Sequence, residues 1–101
     1  MSAPPFELRY TDEAQGVIDA LDGKMYADKR KKVVKALRLL RDIGPAHPGL
    51  HSHKYQSLQG PNREDVWESY IENHTPSAWR IWWVYGPNTD MLTIVTIGPH
   101  P

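Results

Sequence analysis

His100 stands between two prolines in the stretch TIVTIGPHP, after a run of β-branched residues. An imidazole can accept or donate a proton near neutral pH, so this residue type suits a general acid or base. Pro99 and Pro101 fix their own φ angles, and Pro101 also favours an extended backbone at the residue before it. The sequence therefore predicts a catalytic imidazole held at the rim of a sheet.

Arg80 is the second candidate catalytic residue, and it lies in the aromatic, β-branched stretch WRIWWVY, which predicts a strand. Side chains alternate along a strand, so we expect Arg80 on the face of Trp82. By the same rule we expect His100 on the face of Leu92 and Ile94. The turn GPNTD would join the two strands as a hairpin and bring Arg80 close to His100. An arginine beside an imidazole suits phosphate binding and proton transfer.

Further polar side chains are candidates of second rank for anion binding or for the complementary proton transfer: His51, His53, Lys54 and Tyr70. The histidines form an H-x-H, which can present both rings to one metal ion on a strand, but no third ligand follows at a characteristic spacing. We therefore expect no metal and no cofactor. Tyr70 fits a structural role equally well.

A basic stripe is predicted in the helical stretch DKRKKVVKALRLLR, where Lys31, Lys35 and Arg38 recur at i, i+4 and i+7. Such a stripe is most often a solvated helix face. The functional alternative is contact with an RNA backbone or with an acidic segment of a partner protein. A different kind of RNA contact is expected from Trp82. It shares the face of Arg80 on the predicted strand, so its ring could stack on an RNA base.

The composition excludes several classes of protein. A chain of 101 residues suits one domain, which we place at residues 1–101. Its 12 basic and 12 acidic side chains balance, so nucleic-acid binding would need a local patch. It has no cysteine for disulfides or thiolate metal sites. Neither a signal peptide nor an apolar run of the ~20 residues that span a bilayer is apparent, so we expect a cytoplasmic protein without membrane contact.

The first half of the chain predicts one strand and two helices. The alternating stretch FELRY indicates a strand over 6–10, and Thr11 is placed to cap the helix that follows. A second helix is predicted from about Met25 to Asp42, before Gly44-Pro45 ends it. Its buried face is expected to carry Tyr26, Val33, Leu37 and Leu40.

The second half predicts short strands separated by turns, at 54–58, 66–72, 79–85 and 91–97. A strand, two helices and then a run of strands is typical of an α+β protein. We expect an antiparallel sheet of three to four strands with both helices packed on one face. The other face would be left open for function.

Four stretches, in the same order, resemble the RelE/ParE toxins of bacterial toxin–antitoxin pairs. HKYQSLQG is similar to the family's lysine-plus-leucine strand that ends at glycine, and VWESY to its Trp-Glu-Leu-Arg strand. WRIWWVY places Arg80 where the family has a phosphate-binding arginine, and LTIVTIGPHP places His100 where it often has a catalytic histidine. The resemblance implies a RelE-like fold over nearly the whole chain.

The resemblance also implies a function. RelE-like members cut mRNA in the ribosomal A site without a metal, ParE-like members inhibit gyrase, and an antitoxin neutralises both. We interpret the chain as a metal-independent endoribonuclease toxin that acts on mRNA, on the ribosome or off it, and forms a hetero-oligomer with its antitoxin. The alternative is a ParE-like gyrase inhibitor or a degenerate toxin that only binds its antitoxin. Arg80 and His100 favour the nuclease, whereas the neutral charge and Ser69-Tyr70 in place of the usual Leu-Arg favour the alternative.

Overall fold

One sheet of five strands and two α-helices make up the computed structural model, which describes residues 3–101. Along the chain the elements are β1 (Glu7–Tyr10), α1 (Asp12–Ala20), α2 (Ala27–Asp42), β2 (His53–Gln59), β3 (Asp65–Tyr70), β4 (Trp79–Tyr85) and β5 (Met91–Pro99). Short 3₁₀ turns precede α2 (Lys24–Tyr26) and β2 (Pro48–Leu50). The predicted α+β class and element order are confirmed. Within the described chain, no helix is long and apolar enough to cross a bilayer.

The sheet is mixed, which corrects the prediction of three to four antiparallel strands. Its order is β1-β5-β4-β3-β2, and β1 pairs parallel to β5 while the other neighbours are antiparallel. The amide of Glu7 donates to Asp90 O at 2.9 Å, and that of Thr11 donates to Ile94 O at 3.0 Å. An antiparallel run that ends at β5 would leave that edge unpaired, and β1 covers it.

The first helix begins where local chemistry predicts, whereas the second begins later than predicted. Thr11 caps α1: its side chain accepts from the amide of Ala14 at 3.1 Å and donates to Val95 O at 2.6 Å. The predicted start of α2 at Met25 is wrong, because the chain first makes the 3₁₀ turn. Tyr26 lies in that turn, off the buried stripe of α2, and remains 45% exposed.

The main core lies between the helices and one face of the sheet. Trp83 is fully buried there, and the other buried residues of this layer include Val33, Ala36, Leu37, Leu40, Ile81, Leu92, Ile94 and Ile97. The indole of Trp83 donates to Ser69 Oγ at 2.8 Å, so its polar atom is satisfied. A smaller cluster of Val66, Trp82 and Val84 covers part of the opposite face, which carries no helix. We call this second face the open face.

A β-bulge in β5 decides which side chains reach the open face. Trp82 pairs with Thr96 whereas Trp83 pairs with Ile94, so Val95 is an extra residue in the strand. The bulge reverses the alternation, and the predicted placement of His100 on the face of Leu92 and Ile94 is therefore wrong. Those two residues face the helices, and His100 lies on the open face.

Candidate active site on the open face of the sheet

Six side chains of types that can take part in catalysis or binding meet at one end of the open face. We call them the site cluster: His51, His53, Glu68, Tyr70, Arg80 and His100. Strand register brings them together, because His53 pairs with Glu68 and Tyr70 pairs with Arg80 across neighbouring strands. Gly98 pairs with Arg80, and the amide of His100 donates to Ala78 O at 2.9 Å. The structure thus brings Arg80 and His100 to one site.

Glu68 is the centre of the site cluster. Its side chain is only 2% exposed, and three partners surround it. His53 Nε2 lies 3.0 Å from Oε1, Arg80 Nε lies 3.7 Å from Oε1, and His100 Nε2 lies 3.6 Å from Oε2. A buried carboxylate is tolerated only beside such partners, because its desolvation costs several kcal/mol. Within residues 3–101, Oε2 makes no hydrogen bond, so this oxygen is left to interact with a charged imidazole.

Arg80 is held by two backbone carbonyls and by Tyr70. Its Nη1 donates to Glu72 O and to Trp79 O, the latter at 3.2 Å. The guanidinium carbon lies 3.7 Å from the centroid of the Tyr70 ring, a cation–π contact. The residue is 9% exposed. Arg80 therefore supplies a fixed positive charge to the site.

Tyr70 forms one wall of the site. Its ring centroid lies 4.8 Å from that of His51 and 6.1 Å from that of His53. His51 adopts a left-handed backbone with φ 47, which turns the chain into β2. The H-x-H histidines consequently face Tyr70 at one side of the cluster. Within the described chain, no group of three or more His, Asp or Glu residues has the geometry of a metal site.

Behind the wall, Glu72 fixes the end of β3 to α2. Its carboxylate pairs with Lys29 Nζ at 2.7 Å and Lys32 Nζ at 3.1 Å, and it accepts from the amide of Trp79 at 3.1 Å. Burial alone would raise the pKa of Glu72, but the bonds from Lys29, Lys32 and Trp79 outweigh it and lower the pKa to about 2. The backbone carbonyl of Glu72, which accepts from Arg80 Nη1, is therefore part of a segment that these contacts fix in place.

Two of the predicted site residues on the sheet, Lys54 and Trp82, do not join the cluster. Lys54 pairs in register with Trp67, on the helix side of the sheet, and its Nζ lies 3.2 Å from Asp65 Oδ2. Alternation along β2 thus places Lys54 on the face opposite His53 and away from the cluster, and its catalytic role stays a prediction. Trp82 is on the predicted face but only 6% exposed, with its ring against Tyr55, so it offers little surface for a base to stack on.

The basic stripe lies on the helix layer, across the sheet from the site cluster. Lys31, Lys35 and Arg38 are exposed and line a groove of about 840 Å³ along α2, together with Lys24 and Arg30. None of the three stripe residues makes an ion pair with another described residue at 4.0 Å or less. The stripe therefore lies away from Arg80, and its contact with an RNA backbone or with an acidic partner segment stays a prediction.

Sequence reasoning did not assign a role to Glu68. A signal for it is present, because alternation along β3 places Glu68 on the same face as Tyr70, one strand from Arg80. An acidic residue at a central-strand position needs a partner. The sequence could not show that two histidines 47 positions apart, His53 and His100, supply it.

No protein-family model matches the chain, and a comparison with characterised proteins finds no match either. Solved structures do match over nearly the whole length. A YoeB/ParE toxin from Agrobacterium tumefaciens has a TM-score of 0.68 at 14% identity and covers 95% of this chain and 100% of its own.

Two further structures agree with it. A YoeB dimer from Staphylococcus aureus has a TM-score of 0.64 at 14% identity, covering 96% of this chain and 99% of its own. A chain of an archaeal RelE–RelB complex from Pyrococcus horikoshii OT3 has a TM-score of 0.63 at 9% identity, covering 94% of each chain. At such identities the likeness concerns the backbone, and it gives this chain the fold of the RelE/ParE-superfamily toxins.

Proposed function

We propose that this chain is the toxin of a type II toxin–antitoxin pair and that it acts as a metal-independent endoribonuclease on mRNA. The observation that carries the proposal is the pairing of two imidazoles and an arginine around buried Glu68 on the open face. Two groups that can move protons beside a fixed cation match the needs of phosphodiester cleavage. The fold of known toxins supports the same reading.

The reaction would use the 2′-hydroxyl of RNA as the nucleophile. A base removes the 2′-hydroxyl proton while the oxygen attacks the adjacent phosphorus. The bond from phosphorus to the 5′-oxygen of the next nucleotide breaks, and an acid protonates that oxygen. The products are a 2′,3′-cyclic phosphate and a 5′-hydroxyl. His100 and His53 would supply the two proton transfers, and Arg80 would stabilise the negative charge that develops on the phosphoryl oxygens.

The RNA strand would lie across the open face beside His51 and Tyr70. Both rings border the cluster, and their separation of 4.8 Å makes a continuous aromatic edge next to His53. A single-stranded nucleotide can pack its base against such an edge. In this arrangement Tyr70 holds Arg80 and lines the substrate path, and it need not transfer a proton.

The basic stripe on α2 is the proposed contact for the antitoxin. Its cations lie along a groove of about 840 Å³ that is separate from the site cluster. An acidic segment of a partner would complement this charge without touching the catalytic groups. With an mRNA substrate and an antitoxin partner, we expect the protein to act in the cytoplasm, with or without the ribosome.

The second candidate is a ParE-like gyrase inhibitor or a degenerate toxin. The observation in its favour is that Arg80 is 9% exposed and already bound by two carbonyls, while the chain as a whole has no net charge. Induced expression in bacteria, with separate readouts of mRNA cleavage and DNA supercoiling, distinguishes the two. Cleaved transcripts with normal supercoiling support the nuclease, and relaxed DNA with intact transcripts supports the alternative.

A further inference from the structure

We propose that Glu68 joins His53 and His100 into one proton-sharing unit, in which His53 is the general acid and His100 the general base. The assignment of roles rests on the proposed nuclease function. The coupling between the two imidazoles is a property of the folded protein alone, so the two claims can fail separately. Glu68 would be a positioning residue, because it contacts the imidazoles and not the RNA.

The hydrogen bonds of the two rings fix where their protons sit. His53 Nδ1 lies 2.7 Å from His51 O, and His100 Nδ1 lies 2.9 Å from Pro101 O. A carbonyl oxygen only accepts hydrogen bonds, so Nδ1 must carry a proton in both rings. Each neutral ring then has a bare Nε2, and in both rings this atom faces Glu68.

His53 makes the closer contact with Glu68. Its Nε2 lies 3.0 Å from Glu68 Oε1, the separation of an ion pair when the ring is charged. A bare imidazole nitrogen and a carboxylate oxygen both carry lone pairs and repel each other at this separation, so the contact is favourable when Nε2 carries a proton. Arg80 lies beside the same oxygen and stabilises the negative charge of Glu68, so we assign this proton to the imidazole. His53 is thus placed to donate a proton.

The contact of His100 with Glu68 is longer than that of His53. Its Nε2 lies 3.6 Å from Glu68 Oε2, which is too long for a hydrogen bond. A neutral His100 is therefore compatible with the geometry, and its free Nε2 can accept the 2′-hydroxyl proton. Once the ring of His100 is charged, it lies beside Glu68 Oε2, an oxygen that has no hydrogen-bond partner within residues 3–101.

The arrangement keeps the charge around Glu68 constant during the reaction. Before cleavage the imidazolium is His53, and after cleavage it is His100, each beside a different oxygen of the same carboxylate. The other groups that face Glu68 or its partners are Arg80, which stays charged, the rings of Tyr70, His51 and Tyr55, and the backbone oxygens of His51 and Pro101 that accept from the two Nδ1 atoms. Two charged imidazoles with Arg80 would leave an excess of positive charge around one carboxylate, so the two protonations should oppose each other.

Imidazole titrations followed by NMR test the coupling without any RNA. We expect His53→Ala to move the titration of His100 to higher pH, because a neighbouring cation is lost. We expect Glu68→Gln to move the imidazole titrations of the pair to lower pH, because the neighbouring negative charge is lost. The control is His74→Asn, which alters an exposed histidine outside the cluster at a φ of 60 that asparagine tolerates. A His100 titration that neither His53→Ala nor Glu68→Gln displaces would overturn the proposal.

The side chains of His53 and His100 are 47% and 43% exposed, so their alanine variants should fold even if Glu68→Gln does not. The roles can be separated with a nucleoside 3′-aryl phosphate, whose aryl oxide leaves without being protonated. His53→Ala should lose about 10²–10⁴-fold activity on RNA and recover most of it on the aryl ester, whereas His100→Ala should stay impaired on both. Recovery of His100→Ala and not of His53→Ala would reverse the assignment and refute it. If the wild type cleaves neither substrate, the nuclease function fails, and the NMR titrations still decide the coupling.

Discussion

The guanidinium of Arg80 lies over the ring of Tyr70, 3.7 Å from its centroid, because the two residues are paired in register across β3 and β4. The same guanidinium lies beside Glu68. Tyr70 therefore controls the position of the only arginine in the site cluster, and through it the environment of the central carboxylate.

The first prediction tests whether Tyr70 acts through its ring or through its hydroxyl. Tyr70→Phe keeps the ring and should change both RNA cleavage and unfolding free energy little. Tyr70→Ala removes the cation–π contact, which should destabilise the fold by about 1–2 kcal/mol and raise KM because Arg80 loses its support. Urea unfolding and steady-state kinetics measure both effects. A large loss of kcat in Tyr70→Phe would instead make the hydroxyl a proton donor.

The second prediction concerns His100. His100→Ala should reduce RNA cleavage by about 10²–10⁴-fold, the usual contribution of a positioned proton-transfer group. Thermal stability should change little, since the side chain is 43% exposed and its removal opens no core cavity. His74→Asn is the matched control and should retain full activity. Growth arrest at wild-type strength by His100→Ala, with no RNA cleaved by either protein, would favour the gyrase-type or degenerate reading.

The third prediction follows from the ion pairs of Glu72 with Lys29 and Lys32. Its folded-state pKa of about 2 lies below the ordinary value of 4.5. A lowered carboxyl pKa stabilises the folded state at pH values above the ordinary pKa, and this stability is lost as the pH falls toward the folded-state pKa. We expect the unfolding free energy to decline between about pH 4.5 and pH 2 in the wild type, and to decline less in Glu72→Gln. Equal slopes in urea titrations of the two proteins would show that these pairs contribute nothing.

The fourth prediction concerns the basic stripe. Reversing the charge of Lys31, Lys35 or Arg38 to glutamate should weaken the complex with the antitoxin and reduce the salt dependence of its affinity. Arg9→Glu alters an exposed cation on the edge strand β1 and is the matched control. Calorimetric titrations at low and moderate salt provide the comparison. If stripe variants and control bind equally well at low salt, the stripe lies outside the interface.

The fifth prediction concerns metal ions. Proton transfer by two imidazoles and charge stabilisation by arginine need no ion, so RNA cleavage should persist after treatment with a chelator. The assay compares cleavage rates before and after chelation and again after adding a divalent ion. Activity that disappears in the chelator and returns with the ion would make the H-x-H of His51 and His53 a ligand pair.

Much of the local structure was predictable because it depends on neighbouring residues. Thr11 caps α1 as expected from its side chain and the acidic turn that follows. The stretch WRIWWVY forms a strand with the predicted bounds Trp79–Tyr85, since aromatic and β-branched side chains favour an extended backbone. The proximity of Arg80 and His100 also followed from the hairpin between their strands.

Other features depended on tertiary contacts that no local pattern encodes. The parallel pairing of β1 with β5 joins residues more than eighty positions apart, and it fills an edge that only the assembled sheet possesses. The bulge at Val95 turned His100 to the open face, because one unpaired residue reverses every later side chain of the strand. Tyr26 left the predicted helix face because the chain enters α2 through a 3₁₀ turn.

The sequence by itself determined the α+β order of elements and the alternation that places Glu68 on the face of Arg80. Only the tertiary structure decided that Glu68 is the centre of the site, since its partners His53 and His100 come from β2 and from the residue after β5. It also decided that Lys54 and the basic stripe lie elsewhere. The physical reason is that burial and pairing of a charge depend on what the fold packs around it, and the residue type alone does not fix them.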